Sequence, residues 1–510
     1  MREPVRFRLK GTTDYARNFA SVPDPMPTAS LALDPSGAVE SGPYDVAGGL
    51  GRRSRSWRVG SFGPNTSITY VLDELRRKSR DQVRKSPYAA FAVDRLVSNI
   101  VGTGITPKST AKDKGFREAV TALWLKWTDE ADATGAHDFY GLQALAVRGM
   151  VEGGETFTRL RTRRLTDGLS VPLQLQLLEG DHCPHMKSDP TTYVRSGVQY
   201  DAIGRRTGYW LSREHPGDGL ILGAADTGLT LVPAEEIAHL YRALRTGQDR
   251  GEPWLTRALR TLYDLDAYFD AELVRKKTAA MLVGFITPAA SDSPLGTAPA
   301  DLDGSAGLEL EPGTMQVLLD GETVTFSDPK DVGPNFDAFV RQALRGVAAA
   351  AGLLYEELSG DYGQLNDRTL RASLNAFRRA AEAWQHQIVA FQFCRKVWVR
   401  WIDLAILSGA LKVPAGMSRA EAYSVDWLPT RWAYVHPVQD IEAQEREIQA
   451  GFSTRSRKVS ERGEDAFSID EENAADNARA DGLGLKYTSD GRNQVKPEPA
   501  EPDDQTGSPQ

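Results

Sequence analysis

Residues 334–374 read PNFDAFVRQALRGVAAAAGLLYEELSGDYGQLNDRTLRASL. Phe336, Phe339, Val340, Leu344 and Val347 recur at helical spacing, Pro334 stands where a helix starts, and Gly352 stands where one ends. A second helix opens at Asn366-Asp367, residue types that cap free backbone N–H groups, and its pattern runs to about Leu411. That length exceeds an ordinary surface helix, so a bend or a passage between domains is expected. The polar span between the two helices has the composition of a functional loop, and Glu356-Glu357 reads as a solvated helix end.

Upstream, Leu255, Leu259, Leu262, Leu265, Phe269 and Leu273 form one apolar stripe, which predicts a long helix over Trp254 to Val283 with Arg275, Lys276 and Lys277 near its C-terminal end. Residues 284–333 interrupt the two helices with Pro, Gly and short β-like runs. Nine acids, among them Asp303, Glu309, Glu311, Asp320, Glu322, Asp328 and Asp331, stand there against Lys330 alone, a net charge of -8. A small, strongly acidic β-rich module between two helices is expected.

Toward the N-terminus, helical patterns at 87–100, 116–128 and 138–151 precede strand-like runs at Thr156–Arg161, Leu173–Leu178, Gly197–Tyr200 and Thr207–Leu211, an α+β region. Residues 52–85 hold ten Lys or Arg against three acids. The plain reading is a solvated helix face, and a DNA or acidic-partner surface stays open. Residues 1–60 read as an irregular arm. Downstream, amphipathic stretches at 437–450 and 454–462 lead into a polar tail whose last twenty or so residues have a disordered composition.

With 510 residues, 41% hydrophobic and 25% charged, the chain holds more than one domain, and a net charge of -8 excludes a wholly basic nucleic-acid coat. Two cysteines cannot build a disulfide framework. A reducing compartment and a soluble, intracellular product are expected, since no signal-peptide h-region and no apolar run of membrane-spanning length occur. No Lys follows a Gly, so the nucleotide-cradling Gly-Lys-Ser/Thr core is absent. Gly102-Thr103-Gly104 follows a helix rather than a strand and reads as a helix-stop turn. His182, Cys183 and His185 crowd together without a matching second pair, so a turn is preferred to a metal site. Carboxylates are plentiful but lack a neighbouring base or nucleophile that would define an active site.

The segment Val347 to Tyr362, continued by Asn366 to Leu374, resembles the signature of lambda-type phage portal proteins. Further resemblance comes from Asn99 to Ile105, Leu177 to Asp181, Arg250-Gly251-Glu252-Pro253-Trp254-Leu255, Ile448 to Thr454 and Arg462-Gly463, in family order over about residues 70 to 470. Asn366-Asp367 and Leu354 depart from the usual family pattern.

The resemblance implies an α+β portal fold: an arm (1–60), a wing (61–253), two stem helices (254–283 and 334–352) around a clip (284–333), a tunnel loop (353–368), a long helix and wing return (369–435), a crown (436–480) and an acidic tail (481–510). It implies a ring of copies of the chain, generally twelve, at one capsid vertex of a virion assembled in the host cytoplasm. Double-stranded DNA would pass sequence-independently, driven by the terminase large subunit, with a head-tail adaptor and the major capsid and scaffold proteins as further partners. No cofactor and no membrane are implied. Asp361, Tyr362, Gln364, Asn366, Asp367 and Arg368 would face DNA from the tunnel loop, with Arg368 partly offset by Asp361 and Asp367. Arg275, Lys276, Lys277, Arg341 and Arg345 would lie on the stem, and the clip acids would dock motor or adaptor. The rival readings are a capsid-associated nuclease or protease and a capsid scaffold without a channel.

Overall fold

A computed structural model describes residues 61–218, 228–280, 284–287, 323–326, 335–363, 366–430, 432, 436–462 and 464–487. The helices are α1 (Pro64–Thr69), α2 (Leu72–Lys85), α3 (Pro87–Ile100), α4 (Lys114–Thr128), α5 (Phe139–Gly153), α6 (Leu259–Ala280), α7 (Asn335–Ala351), α8 (Tyr355–Ser359), α9 (Asp367–Trp384), α10 (Arg395–Leu407), α11 (Arg419–Ala422), α12 (Pro437–Gln449), α13 (Arg455–Ser460) and α14 (Ala466–Gly482). The strands are β1 (Thr106–Ser109), β2 (Glu155–Thr162), β3 (Leu173–Glu179), β4 (Val194–Arg195), β5 (Val198–Tyr200), β6 (Arg206–Ser212), β7 (Leu229–Pro233), β8 (Ile237–Tyr241), β9 (Gly284–Thr287), β10 (Thr323–Phe326) and β11 (Val425–Leu428). The α+β class and the expected helix and strand runs of the N-terminal half are present. None of the described helices is long and apolar enough to cross a membrane.

Local chemistry explains the element ends. Asp113 and Asp138 cap α4 and α5 by accepting from the N–H groups of Phe116 and Gly141, both at 2.7 Å. At the end of α3 the glycine turn forms as expected, with Gly102 at φ +59° and Gly104 at φ +126°, and a Cβ on Gly104 would run into the Tyr140 ring.

Three antiparallel strands in the order β3-β2-β8 pack on α5, and a second antiparallel sheet runs β4-β5-β6-β7. The main core is aromatic. Trp124 of α4 meets Phe139 of α5 and Trp401 of α10, with ring centroids 5.0 Å apart in each pair. The chain thus returns after some 260 residues to close its first core, and β11 pairs with β1 beside it (Thr106↔Leu428).

The long helix differs from its expectation. It ends at Leu407, short of the expected Leu411, and Gln385–Cys394 between α9 and α10 is π-helical. The C-terminal reading also missed α14, because its apolar residues are too few for a clear stripe.

The ten-cation stretch holds a further correction. Arg76 lies fully buried on the inner face of α2, beside Leu72, Ser79 and Val83. Its partner is the buried carboxylate of Glu155, the first residue of β2, which also accepts from Arg250 Nε at 2.8 and 3.0 Å, from Gly251 N at 3.0 Å and from His239 Nε2 at 2.9 Å. Arg250 donates onward to the carbonyls of Ser196 (2.6 Å), Cys183 (3.0 Å) and Gly180 (3.1 Å). His239 Nδ1 accepts from Arg206 at 3.3 Å, so the ring is held as the neutral tautomer with its proton on Nε2. Against the desolvation that opposes it, the attraction of Arg250 and Arg76 holds Glu155 well below the usual carboxylate range. Burial pushes His239 down to about 4.

Replacing Glu155 with Gln strands two guanidiniums in the core and should cost about 3–5 kcal/mol, read by urea denaturation. His239 resists protonation only in the folded state, so between its ordinary 6.5 and about 4 the unfolded chain binds more protons and stability falls as pH drops. The loss in this window should be on the order of 3 kcal/mol, and His239→Gln should flatten the slope.

Candidate functional site

The apolar stripe of α6 begins inside the body. Leu259, Leu262 and Leu265 are buried, Phe269 is half-buried and Leu273 is exposed. The stripe of α7 behaves likewise in reverse, with Leu344, Val347, Ala348 and Ala351 buried and Phe339 54% exposed. The helices run antiparallel: Tyr268 stacks on Phe336 at 5.7 Å and meets Phe339 edge-on at 5.0 Å, while Lys276 sits 5.9 Å over the Phe336 ring. Beyond them β9 and β10 pair antiparallel, Thr323↔Thr287. The outer halves therefore form a two-helix projection whose apolar residues the rest of the described chain only partly covers.

Gly352 ends α7 at φ +80°, the left-handed conformation that suits glycine. The segment after it is less open than its polarity suggests. Leu353 and Leu358 are buried in the core, and Tyr355–Ser359 is helical. Glu356 and Glu357 lie in its first turn, at a helix end as expected, but both are half-buried rather than solvated, and burial pushes the Glu357 carboxyl up. Asp361 accepts from Tyr355 Oη at 3.2 Å and lies 3.4 Å from Arg341, which also pairs with Asp337 at 3.0 Å. Arg345 sits 5.4 Å over the Tyr355 ring. Two arginines of α7 thus hold the start of this connection, and Asp361 offsets Arg341 rather than Arg368.

Of the other expected site residues, Tyr362 and Arg368 are exposed, and Asn366 caps α9 by accepting from Thr369 N at 2.9 Å. Asp367 opens that helix. Arg275 is bound by Glu272 at 2.7 Å, and Lys277 is exposed. Gln364 and the clip acids Asp303, Glu309, Glu311, Asp320, Glu322, Asp328 and Asp331 lie outside the described residues, as do the arm and the last residues of the tail.

His182, Cys183 and His185 do not form a donor set. His182 Nδ1 lies 3.2 Å from the Ser212 carbonyl, and burial pushes the Cys183 thiol up to about 11. Glu179, Asp181 and His215 do converge, but Arg80 already donates to both carboxylates, at 2.6 and 2.5 Å. Sequence reasoning missed the Glu155 cluster, although Arg250 stood within a quoted motif. It also missed a cationic hollow of about 750 Å³ between β6, β8 and the long helix. Its cations come from segments almost 200 residues apart, so no local run announces it.

Residues 50–385 match the family model described as phage portal protein, lambda family, and the chain belongs to that family. Relatives are similar along nearly their whole length. The probable portal protein of Halomonas phage phiHAP-1 is 28% identical, covering 85% of this chain and 86% of that one. Portal protein B of Escherichia phage lambda is 23% identical (90% and 94%), and the portal protein of Escherichia phage N15 is 23% identical (84% and 88%). Among solved structures, a chain in the neck of an empty gene transfer agent particle is 15% identical, with a TM-score of 0.44, covering 80% of this chain and 95% of that chain.

Gly352→Ala puts a Cβ in left-handed backbone 3.2 Å from the Trp384 ring. It should cost about 1–2 kcal/mol, seen as a lowered urea midpoint with an unchanged m-value.

Proposed function

We propose that this chain closes into a ring, twelve copies being the number the family resemblance implies, and that the ring is a channel for double-stranded DNA at one capsid vertex. The observation that carries the reading is the two-helix projection. Leu273 and Phe339 continue stripes that are buried nearer the body, and neighbouring copies would bury them. In this reading α6 and α7 are the stem, 284–333 the clip, 353–368 the tunnel loop, 436–480 the crown, and the sheets with α2 to α5 and α10 the wing. Packaging is driven by a terminase large subunit, since the sequence holds no nucleotide-cradling loop. The motor, and then a head-tail adaptor, dock on the clip, and capsid and scaffold proteins surround the wing.

DNA must slide, so tight rows of phosphate contacts would hinder it. Arg341 is offset by Asp337 and Asp361, and Arg275 by Glu272, which lowers the drag of those cations. Exposed Tyr362 and Arg368 remain for weak, sequence-independent contact.

Electron micrographs of purified protein should show rings with an axial pore, and sedimentation should show a species many times 55.9 kDa. Leu273→Glu with Phe339→Glu should give monomers of unaltered circular dichroism. A wild-type chain that stays monomeric at micromolar concentration overturns the reading.

Deleting 362–365, which spares the Asn366 cap, should leave rings intact and lower the nuclease-protected genome per capsid. Full-length protected genomes would remove the loop from the mechanism. Reversing Asp320, Glu322, Asp328 and Asp331 to Lys should reduce packaging rate without loss of rings, and a normal rate would make those acids a merely solvated surface.

A further inference from the structure

The cationic hollow is bounded by β6, β8 and the long helix at its π segment. Five cations line it: Arg205, Arg206, Arg395, Lys396 and Arg400. Their hydrogen-bond and ring partners are neutral. Arg206 donates to Tyr241 Oη at 2.6 Å, Lys396 to the Ala234 carbonyl at 3.2 Å and Arg400 to Thr162 Oγ1 at 2.9 Å, while Arg395 lies 5.5 Å over the Phe391 ring. Among the described residues none of the five forms an ion pair. The two acids of the lining do not change this, since Glu235 pairs with none of them and Asp403 is engaged by Tyr423 and by Arg419 at 3.0 Å. Partial burial, then Arg205 and Arg206, push the Lys396 ammonium down, and the attraction of Glu235 only partly opposes them. Phe391, 59% exposed, and Val399 add an apolar ledge.

Such a hollow asks for carboxylates on a narrow, partly apolar carrier. A duplex carries its phosphates on a broad convex cylinder, a poorer match to a concave lining. The chain itself contains a fitting segment, Pro497-Glu498-Pro499-Ala500-Glu501-Pro502-Asp503-Asp504, with four carboxylates, no cation and three prolines. Proline spacing favours an extended polyproline helix, which loses little entropy on docking and sets its rings against aromatic ledges. A relay of contacts leads from the C-terminal region to the hollow. Glu471 of α14 pairs with Lys114 at 3.1 Å, Glu421 accepts from Lys112 N at 3.0 Å, and Arg419 of that same helix α11 holds Asp403 at the rim. The nine residues between Tyr487 and Pro497 can span on the order of 30 Å.

We propose that this hollow is a receptor for an acidic, proline-spaced peptide, and that its occupant is the Pro497–Asp504 segment of the same subunit. The inference stands apart from the ring and the channel.

The test uses the full chain with Glu498→Gln, Glu501→Gln, Asp503→Asn and Asp504→Asn, which frees the hollow without touching the body. A fluorescent peptide of residues 494–507 should bind this variant at least tenfold tighter than the wild-type chain, whose own segment competes. Adding Arg205→Glu and Arg395→Glu should abolish binding, and neutralising the peptide's four acids should do the same with no change to the protein. In a Val399→Cys, Glu501→Cys chain, a short bismaleimide should link the two thiols within one chain, giving a monomer on a denaturing gel and a linked tryptic peptide. The proposal is overturned if the peptide does not bind, if its neutral form binds equally well, if short duplex DNA displaces it, or if the link forms only between chains.

Discussion

One buried carboxylate organises this molecule. Glu155 sits at the first position of β2, and the groups that neutralise it come from a helix 79 residues earlier, Arg76, and from a loop 95 residues later, Arg250. A lone carboxylate could not be held there without them, and neither could the two guanidiniums without the carboxylate. The three therefore find their places together or not at all. The second partner has a directional role: Gly251 donates its N–H to the same carboxylate, and Pro253 and Trp254 follow directly into α6. The ion cluster thus anchors the chain just ahead of the 3-10 turn Trp254–Arg257 that leads into α6.

Much of this architecture was legible in the sequence because it is written in periodicity. The stripes of α3 to α7, the alternation along the first part of β3, and the glycines ending α3 and α7 state local preferences that tertiary packing reinforces. The family was legible for a different reason: the run from Val347 to Leu374 has a specific order of residues that composition alone would not distinguish. What stayed hidden is non-local. Arg76 reads as one more cation of a basic stretch, and only the partner at Glu155 tells it from its exposed neighbours. Likewise, no local signal separates Asp361, turned toward Arg341, from the exposed residues that follow it.

The connection after Gly352 shows how polarity misleads. Its acids and Tyr suggest a free loop, yet Leu353 and Leu358 anchor it at two points and Arg345 covers Tyr355. Polar residues here satisfy one another around apolar pegs.

The π segment has a consequence for how one continuous helix serves two environments. Hydrogen bonds that close one residue later advance the helix by a smaller angle per residue, so each such turn adds a phase lag. Across Gln385–Cys394 the lag re-aims the helix, letting α9 present a mostly exposed flank while α10 drives Trp398 and Trp401 into the aromatic core. The segment works as a vernier between two bearings, and its length is therefore as constrained as its composition: a single residue gained or lost there would rotate one bearing against the other.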